Sequence, residues 1–329
     1  MQAKASKWVA VAKASSLRRR PIAVTVGGVP LVLFRAGGEL HCLTDRCPHR
    51  SAPLSRGTVV GSAVECPYHG WRFEGSGQCV AVPGLIGEVP RSFVPRHPIV
   101  EKDGLILVSL DRAPGEPYTG ALAGTGAISM TLENRVQSTL AEVAENILDT
   151  THTHFTHKGI LRGLSNRRYR VTVTITGGDG WVEARYEGEA RQEGIVSRLL
   201  EGERSISIGR FIAPGIAELE FWGRKGPNLV TTFHLRQDSP DEVRGVGVLS
   251  GPRQGGLGWL KAWLLLPLFR VSVGQDQRIL SAAHIRRRQF PDIKQMSTPI
   301  DVLRPHIDAI LAGRRPTVAD APATLVMEL

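Results

Sequence analysis

The sequence predicts an α+β protein: a small all-β domain followed by an antiparallel sheet with a long helix. Three observations carry this reading. Up to about residue 112 the chain breaks into short β-rich runs separated by Gly pairs and by two Pro-bearing loops, each holding one Cys and one His. Residues 113–126 then turn Pro-, Gly- and Ala-rich, as a linker does. From residue 127 to 329, several longer β-like runs are followed by a helix-rich tail.

The elements follow in order. Pro21 to Val26 and Val29 to Ala36 are β-rich and joined by Gly27-Gly28, a hairpin signal. Gly37-Gly38 leads into a third run, Glu39 to Thr44, and Leu105 to Leu110 is expected to close the domain. The second domain opens with apolar residues at helical spacing, from Gln137 to about Thr151. Strands are predicted at Tyr169 to Thr176, Trp181 to Tyr186, Ser205 to Phe211, Ala217 to Gly223, Leu229 to Leu235 and Val243 to Leu249. Helices follow from about Leu257 to Arg288 and from Pro299 to Leu311.

A chain of 329 residues can bury a core in each of two domains. Its 42% hydrophobic and 22% charged residues are those of a soluble globular protein. The apolar run Leu257 to Phe269 contains Lys261 and Pro267 and is too short to span a bilayer. The net charge of +10 is concentrated at the start, where Lys4, Lys7, Lys13, Arg18, Arg19 and Arg20 occur without an acid. Either a docking patch for an acidic partner or a solvated terminus accounts for this. Nucleic acid is disfavoured, because no recognition motif accompanies the charge.

The pattern Cys47-Pro-His49 … Cys66-Pro-Tyr-His69 reads C-x-H-x16-C-x-x-H. Thiolates with imidazoles suit zinc or an iron–sulfur cluster. Zinc fingers usually pair like ligands with like, whereas each half here supplies one Cys and one His. That alternation suits a Rieske [2Fe–2S] centre, in which two Cys hold one iron and two His the other. The plainer alternatives are a structural zinc, or buried Cys and surface His without a metal. With only four cysteines, two of them in this pattern, a disulfide scaffold is not expected and a reducing, cytoplasmic compartment is.

CPHRSAPLSRG and ECPYHGWRF resemble the Rieske domain of the aromatic-ring-hydroxylating oxygenases, the alpha components of Rieske non-haem iron systems. The similarity runs from about Trp8 to beyond Asp276, dense in the motifs and thin between them, so no removable leader is expected. The resemblance implies a helix-grip fold for the second domain. Ala52 and Tyr68 stand where the respiratory type of Rieske protein carries a disulfide pair, which implies a cluster of the lower-potential kind.

A second constellation is Asn146-x-x-Asp149-x-x-His152-x4-His157, with His154 between. Two His and one carboxylate make the facial triad of non-haem Fe(II) oxygenases. Spacing alone does not choose the pair: on a helix, His152 and His157 lie roughly 140° apart and His154 and His157 only about 60°. The family pattern D-x-x-H-x4-H selects His152 and His157, so the helix must end or distort between them. Between Val243 and Pro291 the one acid is Asp276, at the head of a helical run. The family implies it as third ligand; the plainer reading is an acid favoured by a helix N-terminus. By resemblance, Asp149 couples His152 of one subunit to His69 of the next in a homotrimer, the two metals of one chain being too far apart. Asn146 is a weaker candidate one turn earlier.

The resemblance thus implies a terminal oxygenase with a [2Fe–2S] Rieske cluster and mononuclear Fe(II), acting on O2 and a small organic substrate. Electrons from NAD(P)H would come through a separate reductase or ferredoxin, since the chain shows no dinucleotide or flavin fingerprint. Its length favours hydroxylation or oxidative demethylation over cis-dihydroxylation. A Rieske electron carrier without oxygen chemistry is the competing class.

Overall fold

The computed structural model describes residues 5–122, 125–160, 168–188, 205–253 and 257–329. The chain divides into two units, one of Ser6–Pro117 and one of Tyr118–Leu329 together with Met1–Ala5.

In the first unit, ten short strands form three antiparallel sheets. They are β1 (Val9–Lys13), β2 (Ile22–Val26), β3 (Val29–Ala36), β4 (Glu39–Thr44), β5 (Thr58–Val60), β6 (Ala63–Glu65), β7 (Arg72–Glu74), β8 (Cys79–Ala81), β9 (Ile99–Lys102) and β10 (Leu105–Val108). The sheet orders are β1-β10-β9, β2-β3-β4 and β5-β6-β7-β8. The β2–β3 hairpin closes through Gly27 and Gly28 with φ of 54° and 78°. A two-residue turn with both φ positive matches the twist of the flanking strands, and glycine takes it without a Cβ penalty.

β3 is covered on both faces, and Leu31, Val32, Leu33 and Phe34 are all fully buried. Leu31 and Leu33 pack with Ile106, Val108 and Cys42. Val32 and Phe34 enter a separate cluster with Cys47, Cys66 and Phe73. Burying a Phe of this kind stabilises by about 1.5–3 kcal/mol. The strand therefore ties the stability of the domain to the packing around the two motif cysteines.

The second unit begins with a strand, β11 (Ile128–Val136), before its first helix. Then come α1 (Leu140–Leu148), a single helical turn α2 (Thr153–Thr156), and six strands: β12 (Arg170–Gly178), β13 (Trp181–Glu187), β14 (Ile206–Ile212), β15 (Ile216–Gly223), β16 (Gly226–Ser239) and β17 (Glu242–Gly251). The chain ends in α3 (Leu257–Gln289), α4 (Arg304–Leu311) and β18 (Ala323–Glu328). All eight strands form one antiparallel sheet in the order β11-β17-β16-β15-β14-β13-β12-β18. Alternation puts Val182, Phe211, Ala217 and Phe233 in one row across neighbouring strands. That row packs against Val143, Ala144 and Leu148 of α1 and Ile307 and Ile310 of α4 in one core.

The elements differ from expectation at four places. The helix expected from Gln137 to Thr151 runs only over Leu140–Leu148: Thr139 and Glu142 form a capping box at its start, and Asp149 leaves the helix with ψ 122°. The helix expected from Pro299 begins at Arg304, with Pro305 in its first turn. β11 and β18, the two edge strands, were not expected. Asp276 lies well inside the 33-residue α3 rather than at a helix head, so an N-terminal dipole does not account for it. Among the described residues, no helix is long and apolar enough to cross a membrane. Residues 123–124 of the expected linker lie outside the described residues.

Candidate metal centres

The two Cys-His loops are built alike. The Cys47 carbonyl accepts from the amide of Ser51, and the Cys47 amide donates to Ala52 O. Cys66 repeats this four and five residues on: its carbonyl accepts from Gly70 N, and its amide donates to Trp71 O. Each loop thereby turns its Cys inward while its His stays near the surface. Cys47 and Cys66 are buried, His49 is half-buried and His69 exposed. The two imidazoles meet edge to face with centroids 4.6 Å apart. Trp71 stacks on His49 at 4.8 Å, and Tyr68 lies 3.9 Å from His69. Sequence reading singles out Tyr68 only as standing in place of a disulfide cysteine, and Trp71 not at all.

Two buried thiols and two imidazoles converge here, and burial pushes the Cys47 thiol up to about 11, with Cys66 beside it adding to the shift. Such thiols ionise only where a metal takes the proton's place. The buried Nδ1 of His49 has no hydrogen-bond partner. The donor set fits a Rieske cluster. Cys42 and Cys79 are also buried and unpaired. Burial pushes the Cys42 thiol up to about 12, as for an inert core residue.

The second centre lies where α1 ends. Asp149 Oδ1 accepts from the amide and hydroxyl of Thr151, both at 2.7 Å, and Oδ2 accepts from His152 N at 3.2 Å. Side-chain acceptance of these amides competes with helix continuation, so α1 stops and α2 restarts at His152. His152 and His157 bracket α2 as its N- and C-cap residues. The break therefore falls before His152, not between the two histidines as expected: one helical turn joins them, and that turn ends at His157.

His152 Nε2 lies 3.5 Å from Asp276 Oδ1, and His157 Nε2 lies 3.1 Å from the same oxygen. One ligating atom from each of these residues falls within 4.8 Å of the other two, the one such cluster among the described residues. His157 is buried, and its Nδ1 lies 2.9 Å from Gln275 Oε1. An amide oxygen accepts, so Nδ1 carries the proton and Nε2 turns a lone pair toward the carboxylate. Two acceptors facing each other call for a cation between them or a proton on the ring. Burial pushes His157 down, but the hydrogen bond and charge of Asp276 outweigh it and hold the imidazole above its ordinary value. Asp276 Oδ1 and His152 Nδ1 are buried without hydrogen-bond partners. His152 Nδ1 is 3.4 Å from Asp149 Oδ2, within ion-pair reach. Burial raises the Asp149 carboxyl, yet the His152 and Thr151 contacts bring it below its usual range. These residues fit a divalent metal held by two His and one carboxylate.

Gln275 is the residue that sequence reasoning missed; its one signal was its place beside Asp276. Asn146 lines a cleft of about 480 Å³, mouth included, together with Asp276, Gln277 and Asn134. Phe233 also lines it, whereas Trp222 donates to Glu220 at 2.7 Å and is not among the lining residues.

Residues 7–91 match the family described as the Rieske [2Fe-2S] domain. The oxygenase component of dicamba O-demethylase from Stenotrophomonas maltophilia is 30% identical over 229 residues, covering 65% of this chain and 62% of that one. Methylxanthine N1-demethylase NdmA of Pseudomonas putida is 35% identical over 148 residues, covering 43% and 42%. The solved structure of Pseudomonas putida CBB5 NdmA with caffeine superposes with a TM-score of 0.76 at 21% identity, covering 92% of this chain and 88% of that one. The chain spans less than two thirds of the length of either curated relative.

Proposed function

Because this chain is a Rieske-domain protein with the fold of the Rieske oxygenases, we propose that it is the terminal oxygenase component of a multicomponent system. It hydroxylates or oxidatively demethylates a small organic substrate with O2 and electrons drawn from NAD(P)H through a separate reductase or ferredoxin. The observation that carries this is the convergence of His152, His157 and Asp276 beside a cleft lined by Asn146 and Gln277. His152, His157 and Asp276 would hold iron(II), which would supply the chemistry of O2 activation.

The protein's own groups then have distinct tasks. Cys47 and Cys66, both buried, would hold one iron of the cluster, and His49 and His69, nearer the surface, the other. Trp71 fixes the plane of the His49 ring. Gln275 fixes the tautomer of His157, so that Nε2 stays free to ligate. Asp149 sits behind His152 and turns its Nε2 toward Asp276. In a ring of three subunits, Asp149 of one chain would also reach His69 of the next and carry electrons between centres.

The test is metal content. Anaerobically reconstituted protein should hold the two irons of the cluster plus one more, and Asp276→Ala should lose only the last, with the Rieske EPR signal intact. A wild-type chain with cluster iron alone would identify an electron carrier instead.

A further inference from the structure

His284 is buried on α3, away from both centres, and both of its ring nitrogens are engaged. Arg287 Nη2 lies 2.8 Å from Nδ1, and a guanidinium only donates, so Nδ1 accepts and Nε2 carries the proton. Nε2 then donates to Asp241 Oδ1 at 2.9 Å, in the two-residue turn between β16 and β17. The same Arg287 nitrogen donates to Glu142 Oε2 at 2.8 Å. Glu142 is buried in the first turn of α1, where it accepts from Ser138 Oγ at 2.7 Å and closes the capping box. Arg288 pairs with Asp241 from the solvent side. One polar cluster thus joins α1, α3 and the β16–β17 turn.

The place of this cluster matters because α1 and α3 pass each other in opposite directions. From Glu142 to Asp149 α1 rises about 10.5 Å, and from His284 back to Asp276 α3 covers about 12 Å, at about 1.5 Å per residue. The cluster therefore ties the helices at one end of a span whose other end is the candidate metal site, where His152 and His157 follow α1 and Asp276 belongs to α3. Apolar packing does little to set α3 along this span: Leu280 packs against the core, whereas Ile279, Ala282, Ala283 and Ile285 are exposed. A second polar tie, from Gln277 Nε2 to Asn134 Oδ1 and Arg135 O of β11, is long at 3.4 and 3.3 Å. Nor do the ligands place one another, because His157 Nε2 and Asp276 Oδ1 face each other at 3.1 Å as two acceptors unless a cation or proton lies between them. Fixing register is the best-attested use of buried polar and charged groups. A metal site needs that service, since its ligands must be held to within about 0.5 Å. We propose that His284 and Arg287 are positioning residues for the metal site: with Glu142 and Asp241 they fix where α3 sits along α1, and so hold Asp276 in place for His152 and His157 before a metal arrives. The inference rests on the metal reading of those three residues and adds what preforms the site.

Iron(II) alone is the probe, titrated anaerobically in competition with a fluorescent ferrous chelator into full-length chain that keeps its cluster but is depleted of mononuclear iron. His284→Leu should lower iron(II) affinity about 3- to 10-fold, less than the about 10- to 100-fold that loss of a ligand's own hydrogen-bond partner costs. His284→Gln keeps an amide able to donate toward Asp241 and should recover part of the loss. Ile307→Val thins the core from α4 without touching the cluster, so it should keep wild-type affinity even as its melting temperature falls. Where His284→Leu shows no cooperative melt, Asp241→Ala on the half-buried turn removes the same anchor and should lower affinity by the same factor. Wild-type affinity in the His284 and Asp241 variants, or an equal loss in Ile307→Val, overturns the inference and leaves the metal reading standing. A wild-type chain that takes up no iron beyond its cluster overturns that reading, and this inference with it.

Discussion

Ser51 and Gly70 occupy equivalent positions in the two cluster loops, each donating its amide to the carbonyl of the Cys four residues before, with φ of 59° and 71°. The left-handed conformation is routine for Gly and strained for Ser. The two sites also differ in room, because a Cβ on Gly70 would come within 2.9 Å of Pro83 Cγ. Gly70→Ser should therefore lower stability by about 2 kcal/mol. Ser51→Gly should change it by only about 0.5 kcal/mol, relief of strain offsetting the greater freedom of the unfolded chain and a lost contact to Arg46. Denaturant titration followed at the cluster absorption measures both, and equal effects would break the parallel between the loops.

Gln275→Leu keeps the shape of the side chain and removes the acceptor from His157 Nδ1. Iron(II) affinity should fall about 10- to 100-fold with the Rieske EPR signal unchanged. Competition titration against a fluorescent ferrous chelator reads this directly, and wild-type affinity would mean that Gln275 does not set the tautomer.

His157 gives a pH dependence whose sign depends on the metal. Without metal, Asp276 and Gln275 hold the ring above its ordinary 6.5 against the effect of burial. A raised value in the fold means stability that is fully present below 6.5 and lost as pH rises through the folded value. Metal-free wild type should therefore lose its lead in melting temperature over His157→Gln as pH rises through that window. Iron needs the neutral ring, so its affinity should weaken as pH falls through the same window. Iron binding that tightens on acidification would contradict both.

Asp149→Ala should leave the cluster intact and retain iron in part, because Asp149 is not placed as a ligand. It should slow reoxidation of the reduced cluster by O2 and substrate by more than the about 100-fold that loss of an orienting residue alone produces. Stopped-flow absorption at the cluster bands is the readout. Reoxidation at the wild-type rate would limit Asp149 to terminating α1.

Much of this arrangement was legible because it is local. Gly pairs and β-rich runs mark β2, β3 and β4, and the Cys-His spacing marks the loops, since both depend on residues a few positions apart. What escaped depends on distant partners. β18 exists by pairing with β12, well over a hundred residues earlier in the chain, and nothing within Ala323–Glu328 announces that. Gln275 matters only because α3 carries it to His157, 118 positions away. Both limits of α1 are legible: Thr139-x-x-Glu142 is a capping box that marks its start, and Asp149 two residues before Thr151 is a turn former that marks its end.

The burial of β3 on both sides carries a consequence for how its pairing is chosen. Ordinarily a strand that slips by one residue exposes its apolar side chains, and that penalty holds it in place. With Leu31, Val32, Leu33 and Phe34 in unbroken succession, a slipped β3 would remain apolar on both faces, so hydrophobicity alone cannot choose between alignments. The choice falls to the Gly27-Gly28 and Gly37-Gly38 turns, which clamp the strand at its two ends with all four φ positive. These four glycines, none of them a metal ligand, thereby determine whether Val32 and Phe34 or their neighbours face Cys47 and Cys66.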